Sequence, residues 1–223
     1  TNNVKKIWAE GGGVVNGWLG IPSSVSAEVM THAGFDSVTV DMQHGLIDYQ
    51  ASVPMLQAIS TLDVTPMVRV PWNDPIPIMK ALDAGAYGIV CPMINNREEA
   101  EKFVGACRYF PQGYRSFGPA RAAMYAGGDY ASEANDTLIT MAMIETLPAL
   151  GNLDEIMSTE GRDAIYVGPA DLSISLGPPP SGDPTIPEVL EAMDTILAAA
   201  KRNGVVAGSH CASGEMAKRL FAK

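Results

Sequence analysis

The sequence predicts a single α/β domain over residues 1–223, built as a (β/α)8 barrel whose eighth β/α unit is missing from the chain. A length of 223 residues with 47% hydrophobic content is enough for one large core. Short β-branched apolar segments alternate with stretches in which apolar residues recur every three or four positions, a pattern typical of a parallel sheet covered by helices. Four of the six intervals between predicted strand starts are 22 to 29 residues long, which suits a barrel.

Seven segments are predicted as buried strands, because they are apolar along most of their length. In chain order they are VVNGWLG (14–20), DSVTVDMQ (36–43), TPMVRVP (65–71), YGIVCPM (87–93), LITMAMIE (138–145), AIYVGPA (164–170) and VVAGSHC (205–211).

The stretches between them have helical periodicity. The main ones are 24–34, 48–60, 74–85, 96–110 and 187–204. Asp74 and the Asn95-Asn96 pair are predicted N-caps, and Gly34, Gly85 and Gly204 mark predicted helix ends.

The strand count is one short of a closed barrel. After the seventh strand the chain continues only through the helical segment 213–223. Seven parallel strands would leave two unpaired edges, so we expect about 25 further residues in the natural chain, or a partner that closes the barrel. A doubly wound open sheet is the alternative, although no GxGxxG motif follows the first strand.

Charge and composition exclude several classes of function. Fifteen basic against twenty-five acidic side chains give a formal charge of −10, which argues against binding to nucleic acid or to an anionic membrane. The apolar runs are too short to span a bilayer and the N-terminus lacks a signal-peptide core, so we expect a cytoplasmic protein. Three scattered cysteines without a CxxC pair suggest neither a disulfide framework nor a thiolate zinc site.

Polar residues follow several predicted strands at the end where a barrel places its reactive groups. They are Asp41 and His44 after the second strand, Arg69 at the third, Glu145 at the fifth, Asp171 at the sixth and His210 at the seventh. Charge aimed into a barrel mouth is costly unless it is paired, so a cation or Arg69 must neutralise these three carboxylates. Taken alone, Asp171 could be a helix N-cap and His44 a structural histidine. The role of His210 stays open.

The positions of the lysines argue against catalysis through an imine. All of them fall near the N-terminus, on predicted helices or at the chain end, whereas an imine-forming enzyme needs a strand lysine in a desolvated pocket. A metal acting as Lewis acid, with Arg69 beside it, remains as the way to stabilise an enolate. Glu145 and Asp171 suit Mg²⁺ or Mn²⁺, with Co²⁺ as a third choice, and a 2-oxo acid would chelate such an ion. Gly168 to Asp171 could also present backbone N–H groups to a carboxylate.

The long segment 109–130 between the fourth and fifth strands is predicted to be a loop, and its Gly, Arg and aromatic content favours an active-site rim over a plain surface loop.

Five segments in this order resemble the HpcH/HpaI aldolase family of metal-dependent 4-hydroxy-2-oxo acid aldolases. They are VDMQHGLIDY, PMVRVPWNDP, IMKALDAGAYGIVCPMINNREEA, MIET and YVGPADLSISLG, and together with the regions between them they cover essentially the whole chain. The resemblance implies a (β/α)8 barrel that exchanges its terminal helix with a neighbouring subunit, in dimers that assemble into hexamers.

The resemblance also implies a role for each matching residue. Glu145 and Asp171 would bind the metal, Arg69 would contact the 2-oxo oxygen and stabilise the pyruvate enolate, and His44, oriented by Asp41, would act as base toward the 4-hydroxyl. The backbone at Ala170 and Asp171 would bind the substrate carboxylate, and Asp83 would approach the site of a neighbouring subunit.

Five further positions are implied less directly or depart from the family. Trp18 and the loop containing Arg115, Phe117 and Arg121 would shape the aldehyde side. Many members carry Gln where this chain has Met143, which removes a polar group near the metal.

The hypothesis is therefore a class II aldolase that forms pyruvate and an aldehyde. Three alternatives remain: a metal-dependent acyl-CoA lyase, a 2-oxo acid decarboxylase, and a metal- or acid-binding protein without turnover. An acyl-CoA lyase would need a basic groove for the CoA phosphates, and the sequence has no clear Lys/Arg cluster near the predicted barrel mouth. The Asp41/His44 pair argues against a binding protein without turnover, because binding alone needs no base.

Overall fold

A computed structural model describes residues 2–223, in which seven strands alternate with helices. The strands are β1 (Asn16–Leu19), β2 (Ser37–Asp41), β3 (Thr65–Arg69), β4 (Gly88–Cys91), β5 (Ile139–Ile144), β6 (Ala164–Val167) and β7 (Val206–Ser209). The helices are α1 (Asn3–Ala9), α2 (Ser24–Thr31), α3 (Tyr49–Ile59), α4 (Pro75–Asp83), α5 (Arg97–Cys107), α6 (Ala120–Ala126), α7 (Tyr130–Thr137), α8 (Leu147–Gly151), α9 (Leu153–Met157), α10 (Pro169–Leu176), α11 (Pro187–Arg202) and α12 (Gly214–Phe221).

The seven predicted strands are confirmed, each shorter than the apolar segment that predicted it. The predicted helix boundaries are confirmed as well: the Asp74 side chain accepts a hydrogen bond from Ile76 N at 2.9 Å, and the Asn96 side chain accepts one from Glu99 N at 2.9 Å. Gly34, Gly85 and Gly204 have φ angles of 89°, 103° and 63°, the left-handed conformation that ends a helix at low cost for glycine.

The predicted (β/α)8 barrel is wrong. The strands form one seven-stranded sheet in the order β1 to β7, and the register of β1 to β4 and of β5 to β7 is parallel. β1 and β7 are the two ends of this order, so the described chain does not close an eight-stranded barrel. The sequential order also excludes the doubly wound alternative, which needs a point where the strand order reverses. The α/β class itself is correct.

The segment 109–130 is not the continuous loop that was predicted. It contains α6 and the first residue of α7, because Ala-Arg-Ala-Ala-Met is rich in strong helix formers. The remainder packs through Tyr114, whose hydroxyl donates to Lys102 O at 2.7 Å.

The chain divides into two compact units. The first unit runs up to Cys91 and includes Lys102–Thr140, and the second unit comprises Pro92–Glu101 with Met141–Lys223. In the first unit, one sheet face buries Val38, Val40 and Val68 at 0% exposure. The other face carries Ser37 and Thr39, whose hydroxyls both donate to Asn16 Oδ1 at 2.8 and 3.0 Å. Because of this alternation, side chains two residues apart lie on the same face of the sheet at the carboxyl ends of β1, β2 and β3.

In the second unit, α11 buries one apolar stripe that includes Val189, Ile196 and Ala200. Within residues 2–223 no helix has the length and apolar character needed to cross a membrane. No disulfide joins the three cysteines; Cys91 and Cys107 are buried and Cys211 is half-buried.

Candidate active site

Residues at or just after the carboxyl ends of β1, β2 and β3 form a set in the first unit, which we call the Arg69 group: Trp18, Asp41, His44 and Arg69. Asp41 and Arg69 are directly opposite each other in the β2–β3 register. Trp18 is opposite Thr39 in the β1–β2 register, and Thr39 lies two residues before Asp41. Since side chains two apart in a strand share a face, the sheet itself brings these residues together.

Asp41 and Arg69 form a bidentate ion pair. Arg69 Nε donates to Asp41 Oδ1 at 2.8 Å and Nη2 donates to Oδ2 at 2.5 Å. The two side chains are only 11% and 5% exposed, so the pair is largely desolvated. The guanidinium uses its Nε and Nη2 edge on Asp41, and among residues 2–223 no hydrogen bond to Nη1 is formed. That end of Arg69 is the one available to a ligand.

Three further donors converge on the Asp41 carboxylate. Trp18 Nε1 donates to Oδ2 at 3.2 Å, while the backbone N–H groups of Gln43 and His44 donate to Oδ1 at 3.0 and 3.3 Å. Burial raises the pKa of Asp41, but the hydrogen bonds and positive charge of Arg69, with help from Trp18 and Gln43, outweigh it and hold the pKa below its ordinary value. Asp41 is therefore an ionised anchor.

His44 lies in the loop after β2 and its side chain is exposed. Asp41 holds it through the backbone N–H rather than the imidazole. With five donors already on two oxygens, Asp41 has little accepting capacity left for a ring nitrogen. Gly45 fixes the same loop: a Cβ there would lie 2.2 Å from Asp41 O and 3.2 Å from Gly20 Cα, so any larger residue would displace backbone.

A second set of candidate residues lies in the second unit, and we call it the Glu145 group: Met93, Glu145, Gly168 and Asp171. Glu145 directly follows β5 and is 2% exposed. Its Oε1 accepts a hydrogen bond from Met93 N at 2.9 Å. Met93 has a φ angle of 58°, a left-handed conformation that is uncommon for a residue with a side chain. Such backbone strain persists where the surroundings enforce it, and here it aims an N–H at a buried carboxylate.

Gly168 leaves room for the other Glu145 oxygen. A Cβ at Gly168 would lie 2.2 Å from Glu145 Oε2 and 3.2 Å from Met143 Cε. The position is thus a cradle for the carboxylate that any side chain would fill. Met143 itself is 2% exposed and supplies an apolar wall there.

Asp171 belongs to the first turn of α10, whose N-cap is Gly168. It is exposed and is not the N-cap, so the capping interpretation of this residue is wrong. The N–H groups of Ala170 and Asp171 belong to the helix start, where backbone donors have no partner within the helix and attract anions. Ser175 Oγ, one turn later, accepts from Leu147 N at 2.7 Å and ties α10 to the segment after Glu145.

The donor set of the Glu145 group fits a hard divalent cation. Within residues 2–223 no cluster of three or more His, Cys, Asp or Glu side chains is arranged around a common point. Two carboxylates are nevertheless what Mg²⁺ commonly takes from a protein, since water and substrate oxygens complete its octahedron. Gly168 leaves the room that Glu145 Oε2 occupies, and Glu145 with Asp171 would supply the two carboxylates.

Asp83, Arg115 and Arg121 were also predicted from the sequence as site residues, and they belong to neither group. Asp83 ends α4, the helix that leads into β4, so it lies at the edge where the strands begin rather than beside Arg69. It accepts a hydrogen bond from Arg115 Nη2 at 2.7 Å, and Arg115 Nη1 donates to the Tyr130 hydroxyl at 3.0 Å. Arg121 donates to Ala84 O at 2.8 Å and to Ser60 Oγ at 2.6 Å, near the same edge. These two arginines pin the segment 109–126 to α3 and α4.

His210 follows β7, and its Nδ1 is 3.2 Å from the Tyr166 hydroxyl in an edge-on ring contact. Two features were not predicted from the sequence. They are the left-handed backbone of Met93 and the space that Gly168 leaves for the Glu145 carboxylate. No feature of the sequence marks the φ angle of Met93, whereas the glycine before Pro169 signals a close approach.

Comparisons with known proteins agree on one family. Residues 17–223 match the family described as HpcH/HpaI aldolase/citrate lyase. The hydroxypyruvate/pyruvate aldolase of Rhizorhabdus wittichii is 43% identical over 222 residues, which is 100% of this chain and 88% of that protein. The 4-hydroxy-2-oxo-heptane-1,7-dioate aldolase of Escherichia coli is 38% identical over 92% of this chain and 78% of its own length. A crystal structure of a HpcH/HpaI aldolase/citrate lyase family protein from Burkholderia cenocepacia superimposes with a TM-score of 0.92 at 32% identity, covering 100% of this chain and 89% of that one.

Proposed function

The chain belongs to the HpcH/HpaI aldolase/citrate lyase family, and from that premise we propose that it is a carbon–carbon lyase, a class II aldolase that reversibly cleaves a 4-hydroxy-2-oxo acid. The products are an aldehyde and pyruvate, or a close analogue such as the hydroxypyruvate of its Rhizorhabdus relative.

The observation that carries the proposal is the fixed guanidinium of Arg69. Cleavage leaves the bonding electrons on the pyruvate half as an enolate, and a preorganised cation at that oxygen lowers the barrier more than a mobile one. Arg69 is held by two bonds to Asp41 and keeps Nη1 for a ligand. The seven strands contain no lysine, so an imine is not the way in which this chain would stabilise the same charge.

We propose that Glu145 and Asp171 hold a divalent cation, Mg²⁺ or Mn²⁺ first and Co²⁺ next. When bound, such an ion supplies a Lewis acid that polarises the adjacent carboxylate and keto oxygens of a 2-oxo acid. The support is the donor set: one buried carboxylate, one at a helix start, and a glycine cradle beside the first.

The other steps fall to residues of the chain. The first-turn N–H groups of Ala170 and Asp171 bind the substrate carboxylate. His44 takes the proton of the 4-hydroxyl, the electrons of the C3–C4 bond move toward the 2-oxo group, and the aldehyde leaves. Arg69 Nη1 donates to the 2-oxo oxygen, which gains negative charge at that moment.

Two wider proposals follow from the family. We propose a cytoplasmic homo-oligomer, with a hexamer of three dimers as the expected size. Light scattering coupled to size-exclusion chromatography measures the number of subunits, and a monomer at micromolar concentration would contradict this proposal.

The proposed activity is tested by incubating pyruvate or hydroxypyruvate with glycolaldehyde and following carbon–carbon bond formation by NMR. We expect activity with Mg²⁺ or Mn²⁺, loss after chelation, and recovery when the ion returns. Borohydride added with pyruvate should not inactivate the enzyme, since no lysine forms an imine. Full activity after metal removal, or inactivation by borohydride, would overturn the mechanism.

Carbon dioxide release without aldehyde turnover would favour a decarboxylase, and turnover of acyl-CoA alone would favour the thioester lyase.

A further inference from the structure

Trp18 makes two different contacts with the Arg69–Asp41 pair. Its indole Nε1 donates to Asp41 Oδ2 at 3.2 Å, the same oxygen that accepts from Arg69 Nη2. Its ring lies beneath the guanidinium, with Arg69 Cζ 4.9 Å from the ring centroid. A single side chain thus contacts both members of the ion pair.

We propose that Trp18 is a positioning residue for Arg69, which extends the proposed aldolase function by assigning the residue that fixes the orientation of its cation. The claim rests on that function only for its kinetic consequence. The geometry behind it is independent of what the substrate is.

The two contacts restrict different motions of Arg69. The bidentate pair with Asp41 fixes the guanidinium within its own plane, but two parallel hydrogen bonds still permit rocking out of the plane. An aromatic face against the guanidinium opposes that rocking, because tilting breaks the cation–π contact. The indole N–H restrains the Asp41 carboxylate itself, so the anchor of Arg69 cannot rotate.

The register of the sheet explains why β1 supplies this residue. Trp18 shares a face with Asn16, whose side chain accepts from Ser37 and Thr39 of β2. The neighbouring Leu19 points to the opposite face, where it is 3% exposed. Trp18 is only half-buried, so a packing role alone does not account for the use of its N–H on a desolvated carboxylate.

The test uses three variants of the full chain. Trp18→Phe keeps a ring but loses the N–H, Trp18→Leu loses both contacts, and Trp8→Phe on α1 is the matched control. We expect the kcat for aldol addition to fall about 3-fold to 10-fold in Trp18→Phe and about 10-fold to 100-fold in Trp18→Leu, with metal affinity within about twofold of wild type. Trp8→Phe should behave as wild type.

A double-mutant cycle separates positioning from general damage. If Trp18 acts through Arg69, Trp18→Phe should reduce kcat by less than about twofold when Arg69→Lys is already present. Equal effects in the two backgrounds would overturn the proposal.

A second readout does not depend on activity. The ¹⁵N NMR signal of Arg69 Nε–H, identified by its loss in Arg69→Lys, should be protected from solvent exchange in wild type and Trp8→Phe. It should exchange at least about fivefold faster in Trp18→Leu, because a guanidinium free to rock opens its bonds more often. Unchanged exchange would overturn the positioning role. A wild type with the protected signal but no aldol activity would instead contradict the proposed function alone.

Discussion

At the scale of single residues, a substitution at Gly168 tests the proposed metal binding separately from folding. An alanine Cβ there would meet Glu145 Oε2 at 2.2 Å and Glu145 Cβ at 3.1 Å, so the Glu145 side chain must shift. We therefore expect Gly168→Ala to lower the free energy of unfolding by about 1 kcal/mol. It should weaken Mn²⁺ binding about 10-fold to 100-fold, because the displaced oxygen is a proposed ligand.

Calorimetric titration with Mn²⁺ and thermal unfolding measure the two effects. Gly151→Ala is the matched control, since a Cβ at Gly151 meets no atom within 4 Å. Equal Mn²⁺ affinity in the two variants would count against Glu145 as a ligand.

The lowered pKa of Asp41 predicts how the free energy of unfolding depends on pH. Its pKa is held below the ordinary value of 3.8 because Arg69 outweighs the effect of burial. A carboxyl with a lowered pKa contributes stability above the unfolded-state value and loses it as the pH falls through the folded-state value. We expect Asp41→Asn to lower the free energy of unfolding at neutral pH by roughly 2–4 kcal/mol, since Arg69 loses its counter-charge.

The difference between wild type and Asp41→Asn should persist at pH 5 and shrink only below about pH 4. Urea unfolding across this range measures it. A difference already absent at pH 5 would mean that the ion pair does not set the pKa of Asp41.

The sequence predicts Asp41, Arg69 and Glu145 as candidates because each lies at the end of a predicted strand, but it does not predict their geometry. The five donors around Asp41 depend on the β1–β2 and β2–β3 registers, which a single sequence does not specify. The φ angle of Met93 depends on how its segment meets the end of β5, so no local signal could predict it.

At the scale of elements, the Asp83–Arg115 pair anchors the segment 109–126 to the end of α4. Arg115 is fully buried as a side chain and also stacks on Tyr109, with Cζ 4.5 Å from the ring centroid. Burial raises the pKa of Asp83, and the attraction of Arg115 offsets only part of this.

Asp83→Ala should therefore destabilise the protein by roughly 3 kcal/mol, because it leaves the Arg115 charge buried without a partner. Asp154→Ala is the control: Asp154 pairs with Arg202 at 2.7 Å, but both side chains are more than half exposed, so no measurable change is expected. Chemical unfolding compares the two. Similar effects would mean that the 109–126 segment is not held by this pair.

Helices and strands were predictable at this scale because each carries its own periodicity and caps. The prediction of a continuous loop over 109–130 was wrong. Glycines and prolines in this segment suggested a loop, whereas its Ala-rich part forms α6. Local helix propensity competed with turn residues there, and the contacts of Arg115 and Arg121 with α3 and α4 decided the result.

At the scale of the whole molecule, the alternation of strands and helices predicted the α/β class and the parallel sheet, whereas closure was predicted wrongly. Closing a barrel requires pairing between the first and last strands, which is a long-range contact that no local pattern encodes. The family match spans residues 17–223 although the sheet stays open.

We propose that Arg69 and a divalent cation together stabilise an enolate of pyruvate without a lysine imine. Proton exchange at the pyruvate methyl group in D₂O, followed by NMR, measures the formation of this enolate. Wild type with Mg²⁺ or Mn²⁺ should exchange the methyl protons, while metal-stripped protein should not. Arg69→Ala should exchange them about 100-fold to 1,000-fold more slowly. Near-normal exchange in Arg69→Ala, or in the stripped protein, would contradict the account.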